Sequence, residues 1–129
     1  MKNSKVTKPG GHDTTIKDTY ENRLQQDCFI WFHNSMPSLR GLLCYNLNNS
    51  VNYISGAQNK TMGLQAGRSD LVFYYKGKAH MIELKTVTGT QKEVQKEWQK
   101  IIESQGFDYY IIRTLSDFTE LIKKIINNE

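Results

Sequence analysis

The segment DLVFYYKGKAHMIELK, residues 70–85, constrains the fold more than any other part of this sequence. Its first run, DLVFYY, is dense in the aromatic and β-branched residues that favour strands. The polar triplet KGK follows, and Gly77 within it supplies the backbone freedom of a tight turn. The second run, AHMIELK, returns along the first. The segment therefore predicts two antiparallel strands, at 70–75 and 79–85.

Three charged side chains lie at the open end of this predicted hairpin. Side chains alternate along a strand, so Glu83 and Lys85 share one face, while Ile82 and Leu84 point to the other. Asp70 opens the first strand, roughly opposite Glu83 and Leu84. Paired acids resist joint ionisation unless a cation lies between them. Two carboxylates with open coordination positions suit Mg²⁺ or Mn²⁺, so the pattern indicates a metal site.

Each of these residues also has an ordinary structural interpretation. Asp70 can cap a turn, and Glu83 with Lys85 can form a solvated ion pair worth about 0–1 kcal/mol. A Glu-x-Lys triplet also arises by chance in a chain of this size about as often as not. The position of the three residues on one hairpin, rather than the triplet alone, favours chemistry.

Helical and strand patterns flank the hairpin on both sides. Apolar residues at spacings of three and four predict a first helix that begins at Asp18, with Asp18 or Thr19 as its cap. Pro37 ends this helix near Met36. The run RGLLCYNL then predicts a short strand at about 41–47.

The segment 48–69 is polar and rich in Gly and Asn, and it is long for a structureless loop. We therefore expect it to be functional or partly helical. After the hairpin, a helix is predicted over about 90–105 and ends at Gly106. A strand, FDYYIIRT, and a last helix, SDFTELIKKIINN, capped by Thr114 or Ser116, complete the chain. The predicted apolar stripes of the three helices are Tyr20, Leu24, Cys28, Trp31 and Phe32; Val94, Trp98, Ile101 and Ile102; and Leu121, Ile122, Ile125 and Ile126.

The predicted order of elements is α-β-β-β-α-β-α. Tightly joined strands pair antiparallel, whereas the helical crossover from the third strand to the fourth makes that pair parallel. The fold class is therefore α/β, with a four-stranded mixed sheet flanked by helices. We expect one domain over 17–129. A flexible basic arm is expected at 1–16, where Lys2, Lys5 and Lys8 are available to phosphates.

Composition narrows the class of protein. The net charge of +4 is weakly in favour of a polyanionic partner. Cys28 and Cys44 lie in apolar surroundings, and we expect two buried thiols rather than a disulfide. No apolar run approaches the roughly 18 residues of a membrane span. The N-terminus also lacks the apolar stretch of a secretory signal, so we expect a cytoplasmic protein without a membrane partner.

Other common site patterns are absent from the sequence. His12, His33 and His80 are scattered, and neither cysteine lies at metal-ligand spacing from them, so no zinc site is predicted. His80, beside the hairpin turn, is interpreted as structural. There is no G-x-S-x-G motif and no phosphate-binding Gly-rich loop, and no organic cofactor is predicted.

The stretch GRSD, followed by a strand, a Gly turn and IELK, resembles the PD-(D/E)XK nuclease superfamily and, more narrowly, its VRR-NUC branch. Glu21 and Gln25 have the spacing E-x-x-x-Q, and GLQAGRSDLVF is similar to the Gly-rich approach to the catalytic Asp. Gln95 lies three residues before a Trp, and GFDYYIIRTLSDF resembles the last strand and helix. The resemblance covers about 18–126 and implies a restriction-endonuclease-like core. Ser69 stands where the family usually has Pro, and CYNLNNS lacks a Pro often found before the Asn.

This resemblance implies a metal-dependent DNA endonuclease. Asp70 and Glu83 would bind one or two Mg²⁺ or Mn²⁺ ions, together with the backbone carbonyl of Leu84. Glu21 would reach the metal from the first helix, directly or through water. An ordinary exposed acid on a helix is the alternative for Glu21.

Two further residues are implied by the resemblance to act at the phosphate. Lys85 would position the attacking water or stabilise charge on the phosphate oxygens. Gln95 would hold the water, the lysine or a phosphate. Gln91, Gln95 and Gln99 also form a stripe at helical spacing, for which plain solvated surface is the alternative.

Four basic residues are candidates for contacts to the nucleic-acid backbone. Lys60 and Arg68 lie in the polar segment before Asp70, and Lys92 and Lys96 lie at spacing four on the second long helix. Lys and Arg supply most of the affinity for phosphates. Exposed surface charge is the alternative for all four.

Similar single-domain members of the branch are dimeric and act selectively on branched DNA, so we expect a Mg²⁺-dependent deoxyribonuclease that works as a homodimer. A chain of 129 residues has little surface for grasping two duplex arms alone, which also favours a dimer. A catalytically silent nucleic-acid-binding module is the first alternative. A subunit of a larger restriction or repair complex is the second.

Overall fold

The computed structural model describes residues 14–47 and 53–128, with side chains described within 19–47 and 57–128. Most of the predicted N-terminal arm, including Lys2, Lys5 and Lys8, lies outside the described residues. The last positions assigned to that arm, from Thr14, already belong to the first helix. Within the described residues, no helix is both long and apolar enough to span a bilayer.

Alternation and helical periodicity produce the predicted series of elements, and the order α-β-β-β-α-β-α is confirmed with one short helix added. That helix, α2, lies in the polar segment 48–69, which was expected to be partly helical. The elements are α1 Thr14–Ser35, a 3₁₀ turn Pro37–Leu39, β1 Leu43–Tyr45, α2 Tyr53–Thr61, β2 Leu71–Tyr75, β3 Lys78–Leu84, α3 Glu93–Ser104, β4 Asp108–Ile112 and α4 Leu115–Asn127.

The four strands form one mixed sheet in the order β1-β2-β3-β4. β1 and β3 pair antiparallel with β2, while β4 pairs parallel with β3 after the α3 crossover. The β2–β3 turn places Lys76 at φ 46° and Gly77 at φ 83°, two successive positive values that define a tight hairpin turn. Leu71 pairs with Ile82, so Asp70, one residue earlier, lies opposite Glu83, as predicted.

Helices cover the sheet on both faces, and the hydrophobic cores on the two faces differ in size. The larger core packs α1 and α4 against one face, and the smaller core packs α3 against the other. Because side chains alternate along β3, Ile82 and Leu84 enter the larger core and Met81 enters the smaller one. Glu83 therefore lies on the α3 face. The buried residues of the larger core are Leu24, Cys28, Phe32, Leu43, Leu71, Phe73, Ile82, Leu84, Ile112, Phe118, Leu121, Ile122 and Ile125.

Several element boundaries differ from the prediction. α1 begins at Thr14 rather than Asp18, because no Pro or Gly interrupts the segment before Asp18, so Asp18 and Thr19 lie inside the helix and are not its cap. β1 is shorter than 41–47, because Gly41 has φ 94° and only three residues pair with β2. The predicted cap of the last helix is confirmed, since Thr114 accepts the backbone N–H of Asp117 at 3.0 Å.

Some predicted core positions are exposed. Val94 and Ile101 of α3 are 45% and 61% exposed, so half of the predicted stripe is wrong. Only Trp98 and Ile102 contact the smaller core, because α3 covers a narrow strip of the sheet. The ring of Tyr20 is also exposed, and its hydroxyl donates to the Arg113 carbonyl at 2.8 Å.

The two cysteines are free thiols in different environments. Cys28 is buried in the larger core, and burial raises its pKa to about 12. Cys44 is exposed, so the prediction of two buried thiols is wrong for Cys44. It lies on the edge strand β1, where alternate side chains point away from the core.

Candidate active site

The position of Asp70 is fixed by the register of the hairpin. It immediately precedes β2, and its Oδ2 accepts the backbone N–H of Leu84 at 2.7 Å. The neighbouring Ser69 is fully buried, and its hydroxyl donates to the Leu71 carbonyl at 3.0 Å. This hydrogen bond holds the entry to β2 at the position where the family that the sequence resembles usually has Pro. Asp70 is held against β3 at the open end of the hairpin.

Glu83 is held from three directions on the α3 face. The hydroxyl of Tyr109, on the parallel strand β4, donates to Oε1 at 2.8 Å. The amide of Gln95, on α3, donates to Oε2 at 2.8 Å. The ammonium of Lys85 lies 3.8 Å from the same Oε2. Glu83 and Lys85 are only 2% and 3% exposed, so the alternative of a solvated ion pair is wrong.

Burial dominates the electrostatics of both acids. The pKa of Asp70 is raised to about 6: burial is the main cause, the Leu84 N–H and Lys85 oppose the rise, and the carboxylate of Glu21 adds to it. Burial likewise raises the pKa of Glu83 to about 7, with Asp70 as the next cause. One lysine therefore does not balance the negative charge that Asp70 and Glu83 carry together when ionised.

Glu21 completes the acidic group from α1. It lines the same cleft as Asp70, and its charge acts on both Asp70 and Glu83. Its Oε2 is buried and has no hydrogen-bond partner among the described residues. A buried carboxylate oxygen without a donor is costly unless a cation approaches it. Glu21 is therefore not an ordinary exposed acid.

The donor chemistry of this group fits a hard divalent cation. Carboxylate oxygens and a backbone carbonyl are the ligands that Mg²⁺ and Mn²⁺ prefer. Within 14–47 and 53–128, no three His, Cys, Asp or Glu side chains are arranged to hold a metal by themselves. Mg²⁺ keeps several waters and needs only one or two carboxylates from the protein. Asp70 and Glu83 are carboxylates of this kind, and Glu21 has an unpartnered oxygen beside the same cleft.

The amide of Gln95 connects α3 to Glu83. Gln95 accepts the backbone N–H of Lys92 at 2.8 Å through its Oε1, which caps α3, while its Nε2 donates to Glu83. Gln91 donates to Gln99 at 2.9 Å and approaches the Tyr109 hydroxyl at 3.5 Å. The alternative of plain solvated surface is therefore wrong for Gln95.

A polar cleft of about 540 Å³ opens above the acids, between α1, the loop before β2 and the start of α3. Of the four predicted phosphate contacts, Arg68 and Lys92 line it. Lys60, on α2, and Lys96, on α3, are exposed and lie outside its lining. The predicted site residues in the lining are Glu21, Arg68, Asp70, Leu84, Lys92 and Gln95. Glu83 and Lys85 are buried and do not line it.

Two residues of the site were missed by the sequence reasoning. Tyr109 is 26 positions from Glu83 in sequence and donates a hydrogen bond to it. Because side chains alternate along a strand, one of the adjacent tyrosines Tyr109 and Tyr110 must face the acids, and this was the one sequence feature that could have indicated the contact. Asn46 donates to the Ser69 carbonyl at 3.1 Å and accepts from Arg68 at 2.6 Å. It follows β1, in the segment CYNLNNS, which the family resemblance touched without giving Asn46 a role.

Comparisons with known proteins identify a similar fold. No family model matches the chain, and no curated protein matches it. Among solved structures, the chain is similar to a VRR_NUC domain protein, with a TM-score of 0.71 and 19% identical residues. The similarity covers 84% of this chain and 88% of that one. The chain has a VRR-NUC nuclease-like fold. The fold predicted from GRSD and IELK is thereby confirmed.

In this VRR-NUC-like fold, the acids occupy the open end of the central hairpin, where α1, α3 and β4 all contribute side chains. An identity of 19% establishes the fold alone. A catalytic role for this site is therefore inferred from the contacts of Asp70, Glu83 and Lys85, not from the similarity.

Proposed function

We propose that this protein is a Mg²⁺-dependent endonuclease that hydrolyses phosphodiester bonds in DNA. One observation carries the proposal: half-buried Asp70 and buried Glu83 both lie near one buried ammonium, that of Lys85, beside a cleft that Arg68 and Lys92 line. Buried acids with raised pKa values are typical of functional sites rather than of structural ion pairs. A protein that only binds nucleic acid gains nothing from carboxylates facing a phosphate.

In this proposal, the acids are the metal ligands. Asp70 and Glu83 would bind Mg²⁺ or Mn²⁺, with the Leu84 carbonyl and Glu21 as further ligands. The bound ion would supply a Lewis acid and a water of lowered pKa. Tyr109 donates to Glu83 and so orients this carboxylate before any metal arrives.

Lys85 and Gln95 have separate tasks. The ammonium of Lys85 points to the same region as the Glu83 carboxylate, 3.8 Å away, and is kept from solvent. It would stabilise the charge that grows on the phosphate oxygens or orient the attacking water. Gln95 donates to Glu83 and caps α3, so it positions the ligand and fixes the helix next to it.

The basic residues would bind the backbone of the substrate. Arg68 and Lys92 line the cleft, so we assign them to the phosphates next to the cut. Lys60 and Lys96 lie outside the cleft, and we assign them to more distant phosphates. Each such contact adds affinity that falls as salt rises.

The proposal extends to the oligomeric state, localisation and DNA preference of the enzyme. We propose a cytoplasmic homodimer that prefers branched DNA, because the small chain offers one cleft and two free thiols suit a reducing compartment. Size-exclusion chromatography with light scattering tests the dimer. A monomer at the working concentration of the enzyme would contradict it.

Cleavage assays test the central proposal. Purified protein is incubated with linear duplex, flap and four-way-junction DNA, each in Mg²⁺, Mn²⁺ and EDTA. We expect cleavage in both metals, none in EDTA, and none by Asp70→Asn or Lys85→Ala. Asp108→Asn, which removes an acid at the far end of the hairpin, serves as the matched control and should cleave normally. Cleavage that persists in both site variants would show that the nuclease activity comes from elsewhere.

A further inference from the structure

An apolar groove of about 710 Å³ runs between α1 and β1, beside the cleft. Three large apolar side chains in its lining are strongly exposed: Phe29 at 46%, Ile30 at 56% and Tyr45 at 56%. Exposed apolar side chains that cluster in one groove, rather than occurring singly, indicate a binding surface. The lining is completed by the amides of Asn22, Gln25 and Gln26 and by the edge of Leu71.

The groove is continuous with the proposed catalytic cleft. Asn22, Gln25 and Tyr45 line both. A nucleic-acid strand whose phosphate lies at Asp70 therefore has the groove within reach of its neighbouring nucleotide. Tyr45 and Asn22 stand at the boundary between the two.

The two cavities differ in charge. The cleft is lined by acids and by Arg68 and Lys92, whereas the described lining of the groove contains no charged side chain. A phosphate would find no cation there. A flat, neutral ring with hydrogen-bonding edges fits the groove, because Tyr45 and Phe29 offer stacking surface and the amides offer donors and acceptors. A nucleobase is such a ring.

We propose that this groove, the base groove, binds an unpaired nucleobase of the strand whose phosphate lies in the cleft. The proposal rests on the proposed nuclease function and names its substrate class: DNA with an unpaired nucleotide at the cut site. A base within a duplex is stacked on both faces and paired along its edge, so only an unpaired base can place its ring against Tyr45. The base groove thereby selects flaps and other DNA with an unpaired nucleotide over continuous duplex.

Equilibrium binding tests this proposal without any need for cleavage. Fluorescence anisotropy in EDTA compares three labelled DNAs of equal length: a blunt duplex, a duplex with a short unpaired flap, and the same flap with abasic positions. We expect the wild-type protein to bind the flap about tenfold more tightly than the abasic flap, since stacking of one base on an aromatic residue has that effect. Tyr45→Ala should remove this preference, and Tyr45→Phe should keep it.

The controls separate the base groove from general effects. Tyr74→Ala removes a tyrosine of similar exposure on β2, outside the groove, and should leave all three affinities unchanged. Tyr45→Ala should bind the blunt and abasic DNAs within twofold of the wild type, which also shows that it folds. Equal binding of flap and abasic flap by the wild type would overturn the proposal. So would a loss of affinity in Tyr45→Ala that is the same for all three DNAs.

Two further outcomes separate base binding from cleavage and from self-association. If Tyr45-dependent preference for the flap is found and cleavage in Mg²⁺ is not, the base groove stands and the nuclease function fails. If light scattering shows that Tyr45→Ala and Phe29→Ala convert a dimer into a monomer, the groove is covered by a second copy of the chain and the proposal of a bound nucleobase is overturned.

Discussion

Each end of the β2–β3 hairpin has a lysine beside an acid, which is Asp108 of β4 at the turn end, and the pKa values of the two acids shift in opposite directions. At the turn end, Asp108 lies 2.9 Å from the ammonium of Lys78, and both side chains are more than 40% exposed. The hydrogen bond from Lys78 lowers the pKa of Asp108. At the open end, Glu83 lies near Lys85, and burial raises the pKa of Glu83 to about 7.

The two ends differ in whether the charge of the acids is neutralised by a partner or by solvent. The turn-end charges are satisfied by solvent and by each other, so that pair is ordinary surface structure. Buried His80 belongs to it, 3.8 Å from Asp108 and packed against the ring of Tyr110, which agrees with the structural role predicted for it. At the open end, half-buried Asp70 adds a second acid near the same lysine. We infer that a bound cation offsets the charge of these two acids.

Replacing one acid at each end gives the largest expected contrast. Asp70→Asn should reduce the single-turnover cleavage rate by about 10³-fold or more, since it removes a proposed metal ligand. Asp108→Asn should leave that rate within twofold. Equal losses in the two variants would remove the distinction between the two ends.

Two glycines with positive φ provide a comparison of stability. Gly67, in the loop before Asp70, has φ 81°, and a Cβ there would overlap the carbonyl of Val94. Gly77, in the hairpin turn, has φ 83° and open space around it. We expect Gly67→Ala to lower the free energy of unfolding by about 3 kcal/mol and Gly77→Ala by about 1 kcal/mol. Urea unfolding measures both, and equal losses would show that the loop is not pinned against α3.

The pH dependence of stability should also differ between the ends. The pKa values of Asp70 and Glu83 are raised in the fold, so the protonated acids stabilise the folded state. This contribution to the free energy of unfolding is present below about pH 4 and is lost as pH rises to about 7. Asp108 acts in the opposite direction, since its pKa is lowered: its contribution is present above its unfolded pKa and is lost as pH falls. We expect the metal-free protein to lose on the order of a few kcal/mol from the open end across this window.

Urea unfolding in EDTA at a series of pH values measures this effect. The comparison is the wild type against the double variant Asp70→Asn with Glu83→Gln, in which the loss between about pH 4 and 7 should vanish. A double variant that loses stability as steeply as the wild type would assign the pH dependence to other groups.

Two adjacent tyrosines give the smallest expected effect and a matched pair. The hydroxyl of Tyr109 donates to Glu83 at 2.8 Å, and that of Tyr110 donates to Asp108 at 3.2 Å on the opposite face of β4. Tyr109→Phe should slow cleavage about tenfold, because a hydrogen bond to a buried carboxylate is worth about 1.5–3 kcal/mol. Tyr110→Phe should not change the rate. A Tyr109→Phe enzyme with the wild-type rate would show that the orientation of Glu83 does not depend on this bond.

Local patterns predicted the hairpin, and long-range packing decided what they missed. The turn at Gly77 and the alternation of Ile82, Glu83 and Leu84 are properties of neighbouring residues, so the sequence predicts them. Tyr109 contacts Glu83 only because β4 pairs parallel with β3, and that register is not encoded near either residue. Spacing identified Lys92 and Lys96 equally, but only Lys92 lies at the end of α3 that faces the cleft.

Burial was the least predictable property. The periodicity of α3 shows which side of the helix is apolar, but not how much sheet that side covers, so Val94 and Ile101 were assigned to a core that does not reach them. The same reasoning left Glu83 and Lys85 open to interpretation as a solvated pair. Their burial depends on α3 and β4 arriving over them, which a strand pattern alone does not specify.

Isothermal titration of metal-free protein with Mg²⁺ tests most directly whether the buried acids form a cation site. The wild type and Asp108→Asn should bind Mg²⁺ with the same affinity, and Asp70→Asn should not bind it. Absence of binding to the wild type, or equal binding by Asp70→Asn, would contradict the assignment of the open end of the hairpin as a metal centre.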